Sequence, residues 1–145
     1  MTHSDAGHYS AKHAPGENPD ERIAEAIRGK AKNVELACAE AERLSAALGV
    51  PLAEIGRTLD LLEFRIVRCQ LGLFGYPAGK ARPRAAAAAV APELEAAIRN
   101  HLADGRLPCK AAWEIAAEHK IARIKISSAC ETLMIRIKPC QLGAF

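Results

Sequence analysis

The sequence predicts a mainly α-helical protein with short β-strands, built from two copies of one small module. The first observation is a duplicated motif: Arg68–Tyr76 reads RCQLGLFGY and Pro139–Phe145 reads PCQLGAF, so CQLG occurs twice. The second is composition, because half of the 145 residues are hydrophobic and only 4% are aromatic. Together with abundant alanine, this balance favours closely packed helices over a sheet-rich fold.

The two copies align without a gap at an offset of 71 residues, which places Cys38 on Cys109. The unit runs from Asp20 to Phe74 and again from Ala91 to Phe145, with 16 identities in 55 pairs. The identities cluster at apolar, Cys and Gly positions, as a shared fold would require. The sequence therefore predicts four parts: a disordered tail at 1–19, a first repeat at 20–74, a basic Ala/Pro/Gly linker at 75–90 and a second repeat at 91–145.

Each repeat is predicted to begin with two helices. The segment Asn18–Glu21 combines a capping residue, a proline and a glutamate three residues after the cap, which is typical of a helix start. Ile23 and Ile27 are four residues apart and so share one face, and the second copy keeps this apolar pair. After a turn, LACAEAERLSAALG in the first copy and LPCKAAWEIAAEHK in the second predict another helix.

A third helix and a short strand complete the predicted module. A short turn is followed by PLAEIGRTLDLLE in one copy and ARIKISSACETLM in the other, and both resume helical spacing. The tetrapeptides FRIV and IRIK are rich in β-branched residues and predict a strand. Either the last residues fold back as a small hairpin, or the two CQLG strands pair across the repeats. The second is favoured, because pairing would cover the unpaired edge of each exposed strand.

Three helices followed by a strand, with a tight turn between the second and third, is the order of a winged helix-turn-helix. The local pattern agrees, with a small residue at the helix crossing, a glycine four residues later and an aliphatic residue six further on. In the first copy these are Ser45, Gly49 and Ile55. In the second copy they are Ala116, Lys120 and Ile126. Lys120 is the departure, since that position calls for a left-handed backbone.

On these residues each repeat resembles the winged helix-turn-helix DNA-binding domain of bacterial regulators, including the molybdate-responsive ModE-type repressors. The resemblance covers each repeat from its first helix to its strand. It implies two tandem winged helix-turn-helix modules in a transcriptional regulator that binds double-stranded DNA. No segment corresponds to the molybdate-binding domain of that family, so the resemblance does not extend to control by that ligand.

The second copy is the better candidate for DNA contact. Its third helix has Lys125 where the first copy has Glu54, and a glutamate facing phosphates would repel them. Of the charged residues, the second repeat has eight positive and six negative, whereas the first has eight and nine. For these cations the alternative is an ordinary solvated helix face. The basic linker resembles a flexible arm that could lie in a minor groove, and for it the alternative is a plain linker. The predicted DNA-binding residues are Lys120, Arg123, Lys125, Ser127, Ser128, Arg136, Lys138, Lys80, Arg82 and Arg84.

Four of the five cysteines form duplicated pairs, Cys38 with Cys109 and Cys69 with Cys140. Four thiols could bind zinc or an iron–sulfur cluster, or act as a redox sensor. However, no CxxC spacing occurs, and cysteine is among the residue types most often buried. Burial is therefore the favoured interpretation, and no metal or cofactor is predicted. Cys130 has no counterpart and is expected in the core.

Nothing in the sequence points to catalysis or to a membrane. It has no glycine-rich phosphate loop, HExxH or nucleophile elbow. The recurring His3, His8 and His13 are interpreted as incidental in a disordered tail rather than as a metal site. No apolar run reaches the roughly 20 residues of a membrane span, and the N-terminus lacks the apolar core of a signal peptide. A cytoplasmic location is expected.

The leading hypothesis is a non-enzymatic, DNA-binding transcriptional regulator whose C-terminal copy contacts DNA. One alternative is a protein-binding adaptor of the same fold, with its partner on the first repeat, as the net charge of only +3 permits. The other is a metal or redox sensor that uses the duplicated cysteines. The sequence leaves the oligomeric state open.

Overall fold

The computed structural model describes residues 8–77 and 89–145. Six α-helices and two short strands lie in these ranges, which confirms the predicted mainly helical fold. The chain divides into two compact units, unit 1 (Met1–Cys69 with Gln141–Phe145) and unit 2 (Gln70–Cys140). This division differs from the repeat boundaries, because the last residues of each repeat belong to the unit that contains the other repeat's helices.

Unit 1 contains three helices and a small parallel sheet. A 3-10 helix at Tyr9–Lys12 precedes the regular elements, which are α1 (Glu21–Lys30), β1 (Glu35–Ala37), α2 (Cys38–Leu48), α3 (Leu52–Leu61) and β2 (Arg65–Val67). The first helix begins after Asp20, whose carboxylate accepts the N–H groups of Arg22 and Ile23. In the sheet, Leu36 lies opposite Ile66. The fully buried core includes Ile27, Leu36, Ile55, Leu59 and Ile66.

Unit 2 repeats this architecture at the offset seen in the sequence. Its helices are α4 (Pro92–Asn100), α5 (Cys109–His119) and α6 (Arg123–Leu133). Each begins at the residue that corresponds to the start of α1, α2 or α3. Leu107 and Ile137 form a parallel bridge, and they are the counterparts of Leu36 and Ile66. The helix order of the two copies is therefore the same.

Strand pairing differs from the prediction. The strand after the third helix pairs in parallel with the segment before the second helix of the same repeat. In unit 1 the Arg65 N–H donates to the Val34 carbonyl at 2.8 Å, and in unit 2 the Leu107 N–H donates to the Arg136 carbonyl at 2.9 Å. Neither the predicted terminal hairpin nor the favoured cross-repeat pairing is what the described residues form, because each strand already has a partner inside its own module.

The two CQLG segments dock on third helices instead. In unit 1 the main chain of Leu142 lies so close to Gly56 of α3 that an alanine Cβ there would overlap the Leu142 carbonyl. In unit 2 the Ser127 hydroxyl of α6 donates to the Leu71 carbonyl at 2.6 Å. Gly56 corresponds to Ser127, and Leu142 corresponds to Leu71, so the two segments use equivalent sites. Each repeat thus supplies the segment that completes the other repeat's unit.

The N-terminal residues also differ from the prediction of a disordered tail. From His8 onwards the chain packs on unit 1, where Tyr9 is 3% exposed. The Glu63 carboxylate accepts the N–H groups of Tyr9 and Ser10, both at 2.9 Å. One buried aromatic ring and complementary polar contacts therefore hold a segment that is too polar to fold alone. Residues 1–7, including His3, lie outside the described ranges.

Candidate nucleic-acid interface

Three predicted DNA-binding cations lie within six residues at the turn between α5 and α6. The second helix ends at Lys120, which adopts the left-handed backbone that its position requires (φ 56°). Lys120 and Lys125 are exposed, and Arg123 is the first residue of α6. That helix has no acidic residue in its first turn and no side-chain cap. We call Lys120, Arg123 and Lys125 the basic corner, because the positive end of the helix dipole adds to their charge.

Arg123 is held in place by two neighbours that the sequence analysis missed. Its guanidinium lies over the ring of Trp113, 3.7 Å from the centroid. Its Nη1 also donates to the Gln70 side-chain oxygen at 2.9 Å. A cation stacked on an indole and bonded at one edge has a defined plane and direction. Trp113 is the chain's single tryptophan and lies on the helix before the turn, which is the signal that sequence reasoning could have used.

Ser127 and Ser128 do not belong to the interface. Their exposed fractions are 2% and 9%, and they lie within a run of buried residues from Ile126 to Cys130. The Ser127 hydroxyl already donates a hydrogen bond to the Leu71 carbonyl. The docked segment that follows Cys69 therefore covers this part of α6, and the prediction that these hydroxyls face DNA is corrected. The exposed cation of this helix, Lys125, lies in its first turn.

Arg136 and Lys138 are exposed but lie apart from the basic corner. They are two residues apart on an extended segment, so both project from the same side of it. The Cys109 N–H donates to the Pro139 carbonyl at 3.0 Å, which places this segment at the N-terminal end of α5. Lys120 lies at the other end, about 16 Å away at the usual helical rise. The predicted linker cations Lys80, Arg82 and Arg84 fall outside the described residues.

The third helix of the first repeat has one cation, Arg57, and it is already paired. Arg57 donates through Nε and Nη2 to one Glu17 oxygen, at 2.9 and 2.6 Å. This hydrogen bond is the main reason that the pKa of Glu17 is lowered and the pKa of Arg57 is raised. Glu54 lies 3.8 Å from the same guanidinium. A phosphate that approached this helix of unit 1 would therefore meet an arginine that is already paired and two carboxylates.

The cysteines are thiols that pack rather than cluster. Cys38, Cys69, Cys109 and Cys130 are buried and Cys140 is half-buried. The expected core position of Cys130 is confirmed at 1% exposure, and this burial raises the pKa of its thiol to about 11. Among residues 8–77 and 89–145, no group of three or more His, Cys, Asp or Glu side chains is placed to hold a metal ion.

No helix in the described ranges is both long enough and apolar enough to cross a membrane. Comparison of the chain with protein-family models, with curated proteins and with solved structures found no match.

Proposed function

We propose that this protein is a non-enzymatic transcriptional regulator that binds double-stranded DNA through the basic corner of unit 2. The observation that carries the proposal is the grouping of Lys120, Arg123 and Lys125 at an uncapped helix N-terminus with no acid in its first turn. Helix N-termini attract phosphate through their unpaired N–H groups and dipole. The ModE-type resemblance points to the same activity, and the proposal places the protein in the cytoplasm, where its thiols stay reduced.

The three cations would make different contacts with DNA because their side chains differ in chemistry. Lys120 and Lys125 are exposed point charges suited to phosphates, whereas a guanidinium fixed by Trp113 and Gln70 offers a directed, planar donor. Contacts to base edges would come from the first turn of α6, as in other helix-turn-helix proteins. A phosphate farther along the duplex would meet Arg136 and Lys138.

The test is fluorescence anisotropy on a labelled duplex with two charge-matched double variants. Lys120→Ala with Lys125→Ala removes two exposed cations of the basic corner. Lys30→Ala with Lys32→Ala removes two exposed cations of unit 1 and serves as the control. We expect the first pair to weaken binding by about tenfold or more and the control pair to change it by less than about twofold. Equal losses of DNA affinity in both double variants would indicate general charge attraction and contradict the proposal.

A protein-binding adaptor is the second candidate, and one observation favours it. The third helix of unit 1 already holds a polypeptide segment, through Asp60 with Lys12 and His13 and through Arg57 with Glu17. A fold that binds peptide on this helix in one copy can do so in the other. Absence of DNA binding, together with binding of a peptide, would favour the adaptor.

A further inference from the structure

The N-terminal segment, residues 8–13, occupies a defined site on unit 1. Lys12 Nζ lies 3.0 Å from an Asp60 carboxylate oxygen and also donates to the Gly143 carbonyl at 3.0 Å. His13 Nε2 lies 2.9 Å from the same Asp60 oxygen. The Tyr9 ring is buried. This site therefore takes one aromatic side chain and one or two basic side chains, which pair with a carboxylate that is itself 2% exposed.

Unit 2 has an open cleft at the equivalent position. Asp60 corresponds to Glu131, and Gly143 corresponds to Gly72, which precedes Leu73. The cleft has a volume of about 350 Å³, which lies within the range of ligand pockets. Its lining combines aliphatic walls with one acidic and one basic side chain: Leu73, Ser127, Cys130, Glu131, Ile135, Arg136 and Ile137.

Two residues at or next to this cleft differ from their counterparts in unit 1. Met134 corresponds to Glu63 and has the same left-handed backbone, with φ of 58° and 59°. Glu63 binds the main chain of Tyr9 and Ser10, whereas Met134 is 91% exposed. Glu131 is exposed, whereas Asp60 is buried beneath Lys12 and His13. An exposed methionine next to a cleft with aliphatic and charged lining residues is a feature of adaptable binding surfaces.

We propose that this cleft binds a short segment of a partner polypeptide that carries an aromatic side chain followed, three or four residues later, by lysine or histidine. The occupant is inferred from the chain itself, since Tyr9, Lys12 and His13 have this spacing in the equivalent site. The aliphatic walls suit the ring, and Glu131 replaces Asp60 as the partner for the cation. The basic corner does not line the cleft, but Arg136 does and is also proposed to meet a phosphate, so peptide binding is measured without DNA.

The experiment uses the full chain and a fluorescein-labelled peptide of residues 8–18, HYSAKHAPGEN, whose binding is followed by anisotropy. We expect saturable binding that Glu131→Lys weakens by about fivefold or more, because an attractive pair becomes a repulsive one. Glu118→Lys makes the same charge change at an exposed position of α5 and should alter binding by less than about twofold. A peptide with Tyr9→Ala should bind more weakly than the unaltered peptide. Circular dichroism checks that the variants fold.

A gain of affinity tests the correspondence between the two sites directly. Met134→Glu places a carboxylate where Glu63 accepts two main-chain N–H groups, and the exposed position tolerates the change. We expect this variant to bind the peptide about threefold to tenfold more tightly than wild type. Unchanged affinity would contradict the assigned orientation of the peptide.

Three outcomes overturn the proposal. The first is no saturable binding to wild type. The second is binding that Glu131→Lys leaves unchanged, which would place the peptide on unit 1 or elsewhere. The third comes from a variant in which a Gly/Ser sequence of equal length replaces residues 78–88. If this variant binds the peptide about tenfold more tightly than wild type, the chain's own linker is the occupant and no partner is needed.

Discussion

Gly56→Ala is the sharpest test of the docked C-terminal segment. The added methyl group would overlap the Leu142 carbonyl, so either α3 or the segment must move. Overpacking of this kind costs about 1–3 kcal/mol. Release of the segment instead would expose the Leu142 side chain, which is 3% exposed, at a similar cost of about 1.5–3 kcal/mol. We therefore expect the free energy of unfolding to fall by about 1–3 kcal/mol by either route.

Gly29→Ala is the matched control, because it makes the same change within a helix. An added Cβ at Gly29 meets no atom within 4 Å, so higher helix propensity should stabilise the protein by about 0.5–1 kcal/mol. Urea unfolding followed by circular dichroism measures both variants. If Gly56→Ala is as stable as Gly29→Ala, the segment does not lie against α3 and the exchange of CQLG segments is refuted.

Three further predictions concern titration, thiols and metal. Burial alone would raise the pKa of Glu63, but hydrogen bonds from Ser10 and Tyr9 together lower it below its usual 4.5. The contribution of this group to stability is therefore present above pH 4.5 and lost as pH falls through the lower folded-state pKa, so the amides of Tyr9 and Ser10 should lose protection from hydrogen exchange in acid. Glu63→Gln should abolish that pH dependence; protection that persists in it would implicate other groups. Mass spectrometry after brief alkylation at pH 8 should find Cys140 modified first and Cys130 last, and the reverse order would contradict the burial of the Cys130 thiol. Elemental analysis of purified protein should find no stoichiometric metal, and one zinc per chain would revive the sensor hypothesis.

The repeat and its helices could be predicted because their signals are local. The duplicated motif fixed the alignment, and the start of α1 was predicted to within two residues, since its cap is Asp20 rather than the predicted Asn18. The turn pattern also identified Lys120 as a residue in left-handed backbone, which the structure confirms. Helical spacing, caps and turns depend on residues close in sequence, so one chain without homologues is enough to detect them.

Long-range features could not be predicted in the same way. Both CQLG segments have nearly the same sequence, so nothing local indicates which third helix each one joins. The burial of Ser127 follows from that choice, because the segment containing Leu71 covers it. The N-terminal residues looked disordered because their composition is polar, yet Tyr9 and charges spread from Lys12 to Glu17 find partners on α3. Such pairings become visible only once the chain is folded.

The salt dependence of DNA affinity tests the central claim most directly. Anisotropy titrations of one duplex over a range of salt concentrations give the slope of log K against log salt, which counts the phosphates neutralised. Each cation of the basic corner that contacts a phosphate should contribute about −0.9 to the slope, and any contact by Arg136 or Lys138 would add to it. Lys120→Ala with Lys125→Ala should therefore reduce the magnitude of the wild-type slope by about two. Lys30→Ala with Lys32→Ala should leave it unchanged. Wild type that shows no salt-sensitive binding at micromolar protein, or a slope that both variants share with it, would contradict the account.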